Sequence, residues 1–355
     1  MRIAQVAPLY ESVPPRLYGG TERVVSNLTE ELVRQGHDVT LFATGDSITS
    51  ANLVAQWPQG LRLSPDAVDY MAPHMAMLEE VFANKHKFDV IHFHCDYLHF
   101  PWSRREKVPT ITTLHGRLDI PELPSIYRAF PEMPVVSISD AQQVHLPWLN
   151  WQGTVYHGIA NQWYCPQGKV GDYLAFLGRI SPEKGPVAAI EIARRAGMKI
   201  KIAAKVDRAD QAFFEAKVEP LLQQSHVEFV GEIGSGEVGD FLGGAAALLF
   251  PINWPEPFGL VMIEAMACGT PVIAFPHGSV PEVIDDGITG FLARDIDSAV
   301  AAIRKLSRID RRRCFETFLK RFSAKRMAED YLDIYRRVAE EQSESMAFAT
   351  GASIG

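Results

Sequence analysis

Cysteine is scarce in this 355-residue chain. Only Cys95, Cys165, Cys268 and Cys314 occur, far apart and without a C-x-x-C pair. That excludes a zinc knuckle and a thioredoxin-like motif, and it fits a reducing cytoplasm better than a disulfide scaffold. An excess of basic residues is also missing. Lys and Arg number 35 against 43 Asp and Glu, a formal net charge of -8, which argues against a broad nucleic-acid-binding face. No apolar run approaches the roughly 20 residues of a bilayer span. The opening Ile3-Ala4-Gln5-Val6-Ala7 is too short for the apolar region of a secretory leader. The expectation is a cytoplasmic protein, with peripheral contact at the inner face of a membrane left open.

Apolar residues make up 47% of the chain, enough at this length for two cores. Their spacing alternates between two periods. Residues 2–7 form a short apolar run, and 21–35 carry Val24, Val25, Leu28, Leu32 and Val33 at helical spacing. After Gly36 comes a second strand at 38–42. A strand, a helix and a strand in that order imply a parallel sheet. Further strands are expected at 89–93, 110–114, 135–139 and 154–156. A second set is expected at 173–177, 199–203, 227–230, 247–250 and 271–275. A boundary is placed within 161–172, where Cys165-Pro166-Gln167-Gly168-Lys169 reads as a linker. The chain from 310 to 341 reads as helix, and the tail 342–355 as disordered.

Open parallel sheets bind ligands beyond the carboxyl ends of their strands, so the loops leaving these strands carry the candidate chemistry. The most informative run is Glu256-Pro257-Phe258-Gly259-Leu260, continuing to Glu264 and ending at Gly269-Thr270-Pro271. A helix is expected to begin near Gly259, with free N–H groups suited to an anion or hydroxyls. Glu264 is the only polar residue from Leu260 to Ala267. A carboxylate there is costly unless paired or hydrogen-bonded, either to an Arg or Lys or to a ribose diol. Glu256 reads either as a solvated loop acid or as a group facing the ligand.

Gly178-Arg179-Ile180-Ser181-Pro182-Glu183-Lys184-Gly185 follows the strand at 173–177 and brings two cations to one loop. Arg offers a bidentate fork and Lys a point charge, both suited to a diphosphate. Tyr18-Gly19-Gly20-Thr21-Glu22 opens the first helix with a glycine pair and is not the G-x-G-x-x-G fingerprint. Thr113-Leu114-His115-Gly116 sits at a strand end. His92 and His94 share a strand face, but no H-E-x-x-H or cysteine pair accompanies them, and no metal is expected.

These signals in this order, the glycine pair, Thr-Leu-His-Gly, Gly-Arg-x4-Lys-Gly and Glu-x7-Glu, resemble family 4 of the retaining glycosyltransferases. The resemblance covers residues 1 to about 335. It implies the GT-B architecture: two Rossmann-like parallel-sheet domains facing across a cleft. The first is 1–165, completed by a C-terminal helix at about 322–341; the second is 166–321. It implies that Glu264 holds the ribose hydroxyls and Glu256 lies beside the donor sugar. Backbone N–H groups of Phe258, Gly259 and Leu260 would contact sugar and phosphate. Arg179 and Lys184 would neutralise the diphosphate, approached by Gly19 and Gly20. His115 would touch the sugar near the reacting carbon, and the backbone at Ile233, in Phe229-Val230-Gly231-Glu232-Ile233, would pair with the base. His277-Gly278-Ser279 departs from the family's usual glycine pair, and Tyr156-His157-Gly158 from its usual His-Asn-Gly.

The expected activity is transfer of a hexosyl group from a nucleotide sugar, UDP-hexose favoured, with retention, no cofactor and no metal. The acceptor is open: a glycan, a lipid-linked sugar or a small molecule, contacted by loops at 11–18 or 117–124 or by the segment 71–77, whose methionines read either as an apolar lining or as ordinary helix packing. A retaining phosphorylase or sucrose-type synthase, and a non-catalytic nucleotide-sugar-binding protein, are the competing readings. No nucleic-acid partner is expected.

Overall fold

In a computed structural model of the chain the described residues are 1–351, apart from 18, 66, 165 and 167–169. The chain divides into two compact units. One is Met1–Gly158 with the chain from Ala324 onward; the other is Ile159–Ser323. The division falls shortly before the 161–172 stretch read as a linker. Of that linker, Cys165, Gln167, Gly168 and Lys169 lie outside the described residues.

The first unit is built on seven strands: β1 Arg2–Val6, β2 Asp38–Thr44, β3 Asn52–Trp57, β4 Val90–Phe93, β5 Thr110–Thr113, β6 Val135–Ser137 and β7 Trp151–Thr154. Their order is β3-β2-β1-β4-β5-β6-β7, and every neighbouring pair is parallel. Parallel sheets are covered on both faces, so their strands must be apolar nearly throughout; β4 is buried at every position. The helix Gly20–Arg34 lays Val24, Val25, Leu28 and Leu32 inward, as its spacing requires. Ala4, Val6, Phe42, Ile91 and Phe93 meet Met77, Leu78 and Val81 from the helix Met71–Ala83 in one core. Burying each large side chain contributes about 1.5–3 kcal/mol. Met77 of the segment considered for the acceptor is therefore a core residue.

The second unit has six strands: β8 Tyr173–Arg179, β9 Lys199–Lys205, β10 Val227–Gly231, β11 Ala247–Phe250, β12 Val272–Ala274 and β13 Gly290–Leu292. Their order is β10-β9-β8-β11-β12-β13, again all parallel. Leu174, Phe176, Ile200, Ile202, Leu249 and Ile273 lie in its core. Counted within each unit, both sheets run third-second-first-fourth-fifth-sixth. The order reverses between β1 and β4, and between β8 and β11. Ligands of doubly wound sheets bind at that switch, beyond the carboxyl ends of the strands.

Four sequence expectations are corrected. β3 and β13 were not expected: β3 is largely exposed and polar at Asn52 and Gln56, and β13 has only three residues. β7 lies at Trp151–Thr154 rather than 154–156. The helical stretch 310–341 is two helices, Arg311–Arg321 and Ala324–Gly351, broken at Phe322-Ser323. The second belongs to the first unit and continues to Gly351, through most of the tail 342–355 expected to be disordered, because Ala, Glu and Met extend a helix at little cost. Residues 352–355 lie outside the described ones. Among the described residues no helix is long and apolar enough to cross a membrane.

Candidate active site

In the second unit the chain leaves β8 through Arg179 into a short turn at Pro182–Lys184, then enters the helix Pro186–Ala196. The chain leaves β11 through Pro251 to Glu256, and Gly259 caps the helix Leu260–Ala267. Because β8 and β11 are neighbours at the switch, these two loops meet. Lys184 Nζ donates to Glu256 Oε2 at 2.5 Å, and Trp254 Nε1 donates to the same oxygen at 3.0 Å. The Lys184 ammonium also lies 4.7 Å from the Trp254 ring centroid. Glu256 is 7% exposed. The solvated-acid reading of Glu256 is overturned: a buried carboxylate needs its cation and its hydrogen bond.

Arg179 faces acids on three sides. Its guanidinium is paired with Glu183, and lies 3.8 Å from Asp207 and 3.6 Å from Asp210. A diphosphate arriving here would exchange carboxylate partners for phosphate oxygens rather than meet a bare cation.

Two glycines hold the Glu256 loop in shape. Gly259 has φ +79°, a left-handed conformation that most residues adopt only with strain. A Cβ on Gly278 would stand 2.3 Å from Glu256 O and 2.4 Å from Glu256 N. Ser279 completes the support: its N–H donates to Glu256 O and its Oγ to Phe258 O, each at 2.9 Å. The His277-Gly278-Ser279 loop, which departs from the family pattern, thus braces the loop of the candidate acid. Beyond it, Leu260 opens a helix whose first N–H groups have no acceptor within the helix.

Glu264, 3% exposed on that helix, accepts a hydrogen bond from Tyr164 Oη at 3.0 Å. The phenol is a partner that sequence reasoning missed, 100 residues away. Ile233 lies just past edge strand β10, whose Phe229 and Val230 are exposed at 36% and 43%. Gly234 then caps the helix Ser235–Gly243. Asp295, which with Asp297 forms an Asp-x-Asp sequence, caps the helix Ile296–Ile303 by accepting a hydrogen bond from the Ser298 N–H. No group of three or more His, Cys, Asp or Glu among the described residues is arranged to hold a metal.

In the first unit Gly19 and Gly20 begin the helix Gly20–Arg34, which follows β1; Tyr18 of that motif lies outside the described residues. In the first turn Glu22 is buried, and burial pushes its carboxyl up to about 7. His115 follows β5, and its ring meets two other histidines. His94 Nδ1 is 2.9 Å from His115 Nε2, and the His157 ring stacks on His115 with centroids 5.2 Å apart. Burial holds His92, His94, His99 and His157 well below the ordinary imidazole range and pushes His115 down to about 3. These rings are neutral at physiological pH. His92 and His94 do share a face, with centroids 4.0 Å apart. They spend their nitrogens on Tyr335, Thr113, Gln5 and His115.

Chemically, the second unit gathers charge around one loop pair and the first gathers neutral hydrogen-bonding groups. Two family profiles match the chain: "Glycosyl transferases group 1" over residues 168–317 and "Glycosyltransferase Family 4" over 18–187. An alpha-maltose-1-phosphate synthase of Mycobacterium tuberculosis is 28% identical over 222 residues, 52% of this chain and 56% of that protein. The chain thus matches about half the length of that curated relative. Two solved structures share the fold. A glycosyltransferase involved in avilamycin A biosynthesis superposes with a TM-score of 0.70 at 24% identity, over 96% of this chain and 98% of its own. HepE of Anabaena, in complex with UDP and glucose, does so with a TM-score of 0.69 at 18% identity, over 97% and 100%. The architecture, two parallel-sheet α/β units, is GT-B.

Proposed function

The chain belongs to glycosyltransferase family 4, and from that premise we propose that it transfers a hexosyl group from a nucleotide sugar to an acceptor, with retention and without a metal. The observation that carries this reading is the buried Lys184–Glu256–Trp254 cluster at the switch point of the second sheet. Departure of a nucleoside diphosphate needs preorganised positive charge, and the developing cationic sugar needs a nearby anion. Lys184, Arg179 and the start of the helix Leu260–Ala267 serve the first need; Glu256 serves the second. Glu264 binds the ribose hydroxyls, and the backbone at Ile233 meets the base. In the first unit, Gly19 and Gly20 approach phosphate and His115 binds the sugar. UDP-hexose is the favoured donor, supported by the UDP and glucose bound in the HepE structure that shares this fold.

The roles of the two carboxylates differ from those in a retaining hydrolase, where a pair flanks the bond about 5 Å apart. Here Glu256 is tied to a cation and a tryptophan, and Glu264 to a phenol on a helix. The test is mass spectrometry of a donor and acceptor panel with EDTA present, followed by proton NMR of the product. Transfer from a UDP-sugar with the anomeric configuration kept is expected. Inversion, or activity that EDTA abolishes and magnesium or manganese restores, would overturn the corresponding part.

A further inference from the structure

Beneath His115 runs a chain of buried hydrogen bonds that glycosyl transfer as proposed does not require. It begins on Gln5, one residue before the end of β1, a polar side chain with no exposed surface. Gln5 Nε2 donates to Tyr335 Oη at 2.9 Å, on the C-terminal helix. Gln5 Oε1 lies 2.7 Å from His94 Nε2, and His94 Nδ1 lies 2.9 Å from His115 Nε2. A branch runs from Tyr335 Oη to His92 Nδ1 at 2.6 Å, from His92 Nε2 to Thr113 Oγ1 at 2.7 Å, and on to Tyr331.

Each neutral imidazole has one N–H and one lone pair. A carbonyl oxygen can only accept, so His94 Nε2 carries the proton that meets Gln5 Oε1. His94 Nδ1 is then the lone pair, and His115 Nε2–H must donate to it. His115 Nδ1 is left as a lone pair. This nitrogen is shut off from solvent and has no hydrogen-bond partner among the described residues. Turning the Gln5 carboxamide over would reverse every proton along the chain and make Nδ1 a donor. The carboxamide on β1 therefore decides what a ring two links away can recognise.

We infer that Gln5 and His94 are positioning residues that hold His115 in its Nε2–H tautomer, so that Nδ1 accepts a hydrogen bond from a hydroxyl of a bound carbohydrate. The unpartnered buried nitrogen is the acceptor that the hydroxyl fills, and an unfilled buried polar atom is costly. Ligands offering only an acceptor at that point, such as a fluorine or a methyl ether, are rejected. The carbohydrate rests on the proposed glycosyl transfer; the tautomer of His115 does not.

The deciding measurement is long-range proton–nitrogen NMR on the ligand-free full chain with nitrogen-15 histidine, the His115 signals being assigned by their loss in His115→Asn. Expected is a protonated Nε2 and an unprotonated Nδ1. Gln5→Met, which removes the acceptor, and His94→Phe, which removes the link, should each give a mixture of tautomers. A protonated Nδ1 in the wild-type spectrum would overturn the inference without any variant. So would a tautomer unchanged in both variants, and if one variant does not fold the other decides. The ligand half is read with monodeoxy and monodeoxyfluoro UDP-hexoses. At one sugar position both replacements should lower kcat/KM about tenfold in wild type and by less in Gln5→Met. A fluoro sugar used as well as the parent at every position would refute hydroxyl recognition. If no sugar nucleotide is turned over at all, the proposed function fails while the NMR still reads the tautomer.

Discussion

Both units place their candidate residues in loops after strands of the same order, yet they stock those loops with different chemistry. Of the 11 histidines only His226 and His277 belong to the second unit. The first buries His92, His94, His99 and His157 as neutral rings. The second holds Lys184 against Glu256 and surrounds Arg179 with Glu183, Asp207 and Asp210. Neutral rings with fixed tautomers distinguish hydroxyl donors from acceptors; paired charges can exchange partners with an incoming anion. One strand topology thus carries two kinds of side-chain chemistry, because the sheet fixes where loops emerge and leaves their side chains free.

Acidification should break this contrast most strongly. Seven histidines of the first unit have folded pKa values below the ordinary 6.5, with His92, His94, His99, His115 and His157 shifted furthest and His37 and His74 less. Below that pH the unfolded chain takes up protons that the folded chain refuses, so stability falls. Each ring costs about 1.4 kcal/mol per pH unit. Glu22 has the opposite sign. Its folded carboxyl, raised to about 7, keeps its proton where the unfolded one has lost it, and offsets part of the loss as pH falls below 7. Denaturant melts of the full chain at pH 7.5 and 5.5 should show the first unit losing several kcal/mol and the second changing little. Parallel losses would refute the comparison.

Next in size is Lys184→Met. It leaves Glu256 buried without its cation, and such losses run to about 3–5 kcal/mol. A drop of two to three orders of magnitude in kcat/KM is expected, and it should be insensitive to salt because the Lys184 side chain is only 16% exposed. Arg179, at 34%, is more open to screening. The defect of Arg179→Ala, which leaves three acids facing the diphosphate, should shrink as salt is added. Kinetics across a salt series check both, and equal salt responses would remove the distinction between the two cations.

The two glutamates separate on a smaller scale. Glu264→Gln should weaken calorimetric binding of the nucleoside diphosphate by about 1.5–3 kcal/mol. Glu256→Gln should lower kcat more than donor affinity, because its charge acts on the developing cation. The reverse pattern would exchange their roles. Smallest is Asp295→Ala. It removes a helix cap, should cost about 1 kcal/mol of stability, and should leave kcat unchanged, whereas a metal-binding Asp-x-Asp would lose activity.

The sequence by itself determined the alternation of strands and helices and the strand-to-helix junctions at which Gly19, Gly20, His115, Arg179, Lys184 and Glu256 stand, with Glu264 on the helix that follows. Buried parallel strands must be apolar runs and helices must repeat at their own period, so both leave a local signature. Where burial was slight or the element short, as in β3 and β13, that signature was absent. Partnership was decided only by the tertiary structure. Lys184 meets Glu256 across 72 residues, Tyr164 meets Glu264 across 100, and Gln5 meets Tyr335 across 330. Periodicity reports which face of an element turns inward, but not which distant side chain waits there. The acid that sequence alone left as solvated or ligand-facing became a buried ion pair because the sheet places β8 beside β11. The histidine pair considered for a metal became part of a buried hydrogen-bond chain because β1, β4 and the C-terminal helix bring Gln5 to His94 Nε2 and Tyr335 to His92 Nδ1.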